Sequence, residues 1–120
     1  MEFGVTKEQT GPASWLARPH GEVDLYTSPA LRAELFSVIY SGVGNVVVDL
    51  SATTAFDSTA LGDLLAAHKR LRRGAVLSIV SSDRSTLRIF QVTGLDRVFP
   101  IHDTLELALN ANAGPAPTFS

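Results

Sequence analysis

Apolar residues in this chain fall into two patterns, short unbroken runs and stretches repeating at helical spacing. Val46-Val47-Val48, followed by Asp49 and Leu50, is a β-branched run. A run this short and apolar suits a central parallel strand covered on both faces. Ala75-Val76-Leu77-Ser78-Ile79-Val80 has the same character. Leu31, Leu35, Val38 and Ile39 repeat at helical spacing behind Ser28 and Pro29. Ser28 reads as a cap, and proline in a first turn loses no hydrogen bond. Gly42 and Gly44 end that helix. A second helix is predicted from about Ser58 to Arg73, closed by Gly74, with Leu61, Leu64, Leu65, His68 and Leu71 on one face. A third, short helix follows Ser82 or Asp83, carries Leu87, Phe90 and Val92, and stops at Gly94. Val98 to Ile101 reads as a last strand that Pro100 places at an edge. Asp103 and Glu106 are spaced as a capping-box variant for a final helix through Leu109.

The N-terminal part is less patterned. Phe3 and Val5 suggest a short edge strand, and Gln9-Thr10-Gly11-Pro12 a turn. Ala13 to Pro19 reads as a strand that Pro19 ends, and Gly21 to Leu25 leads into the first helix. Strand–helix alternation with short loops predicts an α/β domain. Its sheet should be mixed and mostly parallel, with about five strands and about four helices. One domain over residues 1–112 is expected, with 1–18 its least patterned part. Residues 113–120, rich in proline and alanine, read as a disordered tail.

Composition narrows the function classes. Ten Lys and Arg against twelve Asp and Glu leave a formal charge of −2. That balance gives no electrostatic case for nucleic acid or an anionic membrane as partner. The absence of cysteine excludes disulfides, zinc–thiolate sites and cysteine nucleophiles. No apolar run approaches the roughly 20 residues needed to span a bilayer. Met1 to Val5 lacks the basic and apolar regions of a signal peptide, so a soluble cytoplasmic protein is expected.

Candidate chemistry concentrates between strand 46–50 and the helix after it. Loops at the C-terminal ends of strands are where open α/β sheets place function. Asp57, Ser58 and Thr59 are all cap-forming types, and a helix start favours negative charge placed on it. Catalysis lacks its parts. A nucleophilic Ser58 would need a base within hydrogen-bond reach, and Asp57, adjacent on a helix start, does not face it. His20 and His102 have no second histidine at ligand spacing, and His68 on an apolar face reads as structural. Gly42 and Gly44 precede a strand, where a dinucleotide loop would follow one. A magnesium-binding receiver domain would need clustered carboxylates; Asp49 supplies one, and the first strand supplies no acidic pair. No metal, cofactor or enzymatic activity is expected.

Four stretches carry a family resemblance. They are Gly21-Glu22-Val23-Asp24-Leu25 with Thr27-Ser28-Pro29-Ala30-Leu31; Val47-Val48-Asp49-Leu50-Ser51; Phe56-Asp57-Ser58-Thr59-Ala60-Leu61-Gly62; and Thr93-Gly94-Leu95-Asp96 with Phe99. In this order and spacing, from Gly21 to Leu109, the sequence resembles the STAS-domain anti-anti-sigma factors, bacterial anti-sigma factor antagonists. The resemblance implies a binding switch. The unmodified protein would bind an anti-sigma factor, a serine kinase with a histidine-kinase-like ATPase fold, and so free the sigma factor. Phosphorylation at Ser58 would break that complex, and a serine phosphatase would restore it. Asp24, Asp57, Thr59, Ala60, Leu61, Gly62 and Asp63 would form the phosphosite environment and partner-binding edge.

Individual residues keep plainer readings beside these. Ser58 and Asp57 also read as caps, and Asp24 as a turn residue. Thr59 and free backbone N–H groups could match a phosphate's charge. Ala60 stands where the family more usually has glycine. Asp63 stands where an apolar residue is common; it reads as a first-turn dipole partner, or as a determinant of partner choice. Arg18, Arg32 and the Lys69 to Arg73 cluster read as solvated faces or dipole partners. A non-switching STAS scaffold and a nucleotide or small-ligand module using loop 51–57 remain alternatives.

Overall fold

The computed structural model describes residues 2–42 and 44–113. Strands β1 (Gly4–Gly11) and β2 (Ser14–Val23) form a hairpin, followed by helix α1 (Ser28–Tyr40). Strands β3 (Asn45–Asp49) and β4 (Thr53–Phe56) lead into α2 (Thr59–Arg70). Then come β5 (Leu77–Val80), α3 (Arg84–Thr93), a 3-10 turn (Leu95–Arg97), β6 (Ile101–His102) and α4 (Leu105–Ala113). The sheet has six strands in the order β1-β2-β3-β5-β6, with β4 also paired to β2. Among the described residues only the β1–β2 pairing is antiparallel. The α/β class and mixed, mostly parallel sheet are those the sequence predicts, with one strand more.

Strand β3 is buried on both faces, as its run of valines requires. Val46 and Val48 join Leu31, Leu35, Leu64, Leu77, Ile79, Phe90 and Phe99 in the main core under α1, α2 and α3. Val47 points the other way and packs with Leu16, Val80 and Ala108 beneath α4. The period-two alternation of a strand thus divides three consecutive valines between two layers. Phe90 stacks on Phe56 at 5.9 Å and meets Phe99 edge-on at 6.1 Å. Half-buried His68 meets the Phe99 ring edge-on at 5.5 Å, consistent with a structural histidine.

Several boundaries differ from expectation. Strand β2 runs through Pro19 to Val23. Pairing with β3 ends at Ala17 and pairing with β4 begins at Gly21, so Pro19 falls between the two parallel ladders. A residue without an N–H is tolerated there. At Gly21 the ladder shifts register, and φ is +89°. A Cβ there would come within 3.0 Å of the Phe3 Cα, so backbone shape and space both require glycine. Loop 51–57 contains β4, a strand missed because Thr53-Thr54-Ala55-Phe56 has only one buried side chain. Helix α2 ends at Arg70 and leaves Arg72 and Arg73 outside it, because Leu71 turns to extended geometry and packs on the core. The last strand is only Ile101 and His102, since the Val98 and Phe99 N–H groups bond back to the Leu95 carbonyl, each at 3.0 Å; it does lie at the sheet edge. Thr104, not Asp103, caps α4, its hydroxyl accepting the Leu107 N–H at 3.2 Å. Val92, expected on the buried stripe of α3, is 74 % exposed. The expected disordered tail lies outside the described residues, apart from Ala113 at the end of α4.

Buried polar groups join the elements. Asp49 is 1 % exposed; Arg18 Nε donates to its Oδ2 at 3.0 Å, and the Ser51 N–H to its Oδ1 at 2.9 Å. Arg18 is therefore an ion-pair partner, not part of a solvated face. Asp63 is 6 % exposed and lies beyond the first turn of α2, where it faces α1. It accepts the Ser28 hydroxyl on Oδ2, and the Arg32 guanidinium lies 3.8 Å from Oδ1. Neither sequence reading of Asp63 describes it: the carboxylate links α1 to α2 inside the molecule. Arg32 and Arg70 lie over the Phe36 ring at 5.0 and 4.6 Å from its centroid.

Removing one member of the Ser28–Asp63 link leaves a buried charge short of a donor, which costs about 1–3 kcal/mol. Ser28→Ala is therefore expected to lower unfolding free energy by about that amount in urea titration. The double variant Ser28→Ala/Asp63→Leu, with both polar groups gone, should recover most of it. A double variant less stable than Ser28→Ala would show that the carboxylate stabilises the helix pair without the serine.

A second expectation concerns Asp83, the cap of α3. Its Oδ2 accepts from the Ser85 hydroxyl at 2.6 Å and from the Thr86 N–H and hydroxyl, each at 2.9 Å. The Ser85 hydroxyl, then the two Thr86 donors, hold its carboxyl below the ordinary 3.8. Its charged form thus adds stability above the ordinary value, and that stability is lost as pH falls through the lowered one. Asp83→Asn should be less stable than the parent at pH 6, and the gap should narrow as pH falls through the lowered value. A gap independent of pH in thermal melts would contradict this.

Candidate functional site

Ser58 stands where β4 hands over to α2. Its position follows from backbone pairing. Val23 of β2 pairs with Phe56 of β4, and the Asp57 N–H then donates to the Val23 carbonyl at 3.1 Å. This pins the start of α2 beside the end of β2, so the β2–α1 loop and the α2 start share one rim. Phe56 is turned into the core, which leaves the next residues, Asp57 and Ser58, facing solvent.

The first turn of α2 is held by Asp57. Its Oδ1 accepts the Thr59 N–H at 2.9 Å and also the Thr59 hydroxyl. Ser58 occupies the cap position, yet its side chain makes no cap hydrogen bond. The helix is thus capped by the residue before the serine, and the Ser58 hydroxyl is left exposed and unengaged. Thr59 does not have the free donors expected of it, because both are already bonded to Asp57.

Asp24 does the same work on the other side of the rim. Its Oδ1 accepts the N–H groups of Tyr26 at 2.9 Å and Thr27 at 3.1 Å, while its own N–H donates to the Thr27 hydroxyl at 2.9 Å. The turn reading of Asp24 describes these bonds, and the backbone pairing also places it next to Asp57. Beyond it, Leu25 and Tyr26 are 64 % and 89 % exposed.

Other residues expected near the site divide by depth. Ala60 and Leu61 are buried at 0 % and 5 % and pack into the main core, so they support the serine from behind and offer no surface to a partner. Gly62 is exposed, one turn beyond Ser58, and a Cβ there would meet nothing within 4 Å. It leaves the outer face of α2 open beside the serine. Asp63 belongs to the α1–α2 link.

Along α3, reaching Ser58 just before α2, runs a groove of about 400 Å³ lined by Ser58, Ser85, Arg88, Ile89, Val92 and Thr93. The sequence pattern missed Leu25, Tyr26, Arg88, Ile89 and Val92. The usable signal was Val92, an apolar residue off the Thr86–Phe90 buried stripe of its helix. Among the described residues no group of three or more His, Cys, Asp or Glu could hold a metal, and no helix is long and apolar enough to cross a membrane.

Comparison with known proteins agrees with this architecture. The STAS domain family model matches residues 5–108. The chain is 31 % identical over 94 residues to the anti-sigma-F factor antagonist RsfB of Mycobacterium tuberculosis, covering 78 % of this chain and 77 % of RsfB. It is 34 % identical over 94 residues to the anti-sigma-B factor antagonist of Listeria monocytogenes, covering 77 % and 81 % of the two chains. The crystal structure of an anti-sigma factor antagonist from Mycobacterium paratuberculosis superposes with a TM-score of 0.87 at 29 % identity, covering 93 % of this chain and 95 % of that one. With the six-stranded fold and the capped α2 start in place, the chain belongs to the STAS domain family, alongside relatives named anti-sigma factor antagonists.

Proposed function

We propose that this protein is an anti-sigma factor antagonist switched by phosphorylation of Ser58. Unmodified, it binds an anti-sigma factor with serine kinase activity and a histidine-kinase-like ATPase fold, which frees the sigma factor. Phosphorylated, it no longer holds that partner, and a serine phosphatase returns it to the binding form. STAS anti-sigma factor antagonists are regulatory binding proteins, not enzymes. The chemistry is accordingly done to Ser58 by the kinase.

One observation carries this reading: Ser58 is exposed, its hydroxyl is unengaged, and the helix it starts is capped by Asp57 instead. A kinase can reach this hydroxyl without undoing the cap. The added phosphate brings about −1.5 to −2 charge. At the N-terminus of α2 that charge is tolerated by the domain. The penalty falls on the complex, where a dianion beside Asp57 must be desolvated against the partner. Exposed Leu25 and Tyr26 on the same rim, and Gly62 on the open face of α2, provide apolar and close-approach surface around the serine.

Incubation with the cognate anti-sigma kinase and ATP should add one phosphate, located at Ser58 by mass spectrometry, and Ser58→Ala should accept none. An active kinase that binds the protein and leaves Ser58 unmodified would overturn the reading. In the binding equilibrium, Ser58→Ala should keep the complex and Ser58→Asp should weaken it about tenfold or more, the equivalent of about 1.4 kcal/mol. Equal affinities of the two variants would contradict a charge-based switch.

A further inference from the structure

Phosphate on Ser58 would find few donors on its own helix. The Thr59 N–H and hydroxyl are bonded to Asp57 Oδ1. The other two hydroxyls lining the groove at Ser58 have also committed their protons, Ser85 to Asp83 Oδ2 at 2.6 Å and Thr93 to the Ile89 carbonyl at 2.7 Å. Arg88 differs. It lines the same groove as Ser58, its side chain is exposed, and among the described residues its guanidinium has neither an ion pair nor a hydrogen bond. Nearest along its own helix are Arg84, one turn back, and the cap Asp83, while Asp57 adjoins Ser58 in sequence. Both carboxylates are engaged in caps, and Arg84 borders a different groove, with Ser85, Leu87, Arg88 and Gln91.

We propose that Arg88 is the intramolecular partner of the phosphoryl group on Ser58, pairing with it across the groove that both line. The inference rests on Ser58 being the modified residue and adds how this chain stores the modification. A guanidinium matches phosphate oxygens with paired N–H donors, giving a charge-assisted contact stronger than a neutral hydrogen bond. The remaining lining of the groove, Ile89 and Val92, is apolar, and Val92 is 74 % exposed. A phosphate drawn to Arg88 lies over these side chains. The modification therefore does more than add repulsion at the interface: it covers an apolar groove with a bound dianion and removes Arg88 as a free cation for a partner's carboxylate.

The test uses full-length protein with phosphoserine incorporated at position 58 during translation, so no kinase is needed. The phosphate is titrated by phosphorus NMR in the parent, Arg88→Gln, Arg88→Lys and Arg84→Gln proteins. Free phosphoserine loses its second proton near about pH 6. Pairing with Arg88 should lower that midpoint, and Arg88→Gln should raise it again by about half a unit or more. Arg88→Lys should keep part of the lowering. Arg84→Gln, an equal loss of charge on the same helix, should leave the midpoint unchanged. Identical midpoints in Arg88→Gln and the parent, or equal shifts in Arg88→Gln and Arg84→Gln, would overturn the proposal. A kinase that fails to modify Ser58 would overturn the proposed function while leaving this titration readable, so the two failures are distinct.

Discussion

Strand β2 pairs in parallel with β3 over its first half and with β4 over its second, and the place of Ser58 follows from that change of partner. The change occurs around Pro19 and Gly21. Pro19 lies between the two ladders, and Gly21 takes a positive φ where a side chain would strike the N-terminal backbone. Beyond it, Val23 aligns with Phe56 and receives the Asp57 N–H. Without this second pairing, residues 51–57 would form a loop with no set end. With it, the start of α2 is fixed beside the β2–α1 turn, and two loops distant in sequence form one rim.

The acidic residues at and beneath that rim are occupied in holding the fold. Asp24, Asp57 and Asp83 each hold the start of a turn or helix through their carboxylate oxygens. Asp49 and Asp63 are buried, one against Arg18 and the Ser51 N–H, the other against Ser28 and Arg32. A carboxylate bonded in this way is fixed in position, which suits a cap and not a proton shuttle. Ser58, beside these carboxylates, is a polar side chain with nothing to hold. Its hydroxyl is left open to solvent, and the exposed Arg88 lines the same groove.

Much of the fold was legible because its signals are local. The valine run of β3, the helical spacing of Leu31, Leu35, Val38 and Ile39, and Gly94 with its φ of +76° at the end of α3 all act within a few residues. The site was legible in part for the same reason, since Asp57-Ser58-Thr59 is a helix start by composition alone. Strand β4 was not legible, because its residues alternate too weakly and its partner lies some thirty positions away, from Gly21 to Val23. Asp63 was misread because helical position alone cannot reveal that α1 lies across it with Ser28 as a donor.

By itself, then, the sequence determined the helices, the central buried strands and the candidate serine, because each is set by neighbours along the chain. Tertiary structure decided which polar groups were still free. Asp63 turns inward to Ser28, and Ala60 and Leu61 are lost to the core. It also decided that Val92 and Arg88, on a helix thirty residues downstream, share a groove with Ser58. Hydrogen-bond satisfaction and burial are properties of the packed molecule, and no reading of cap-forming residue types in a row can say which of them remains open to a partner.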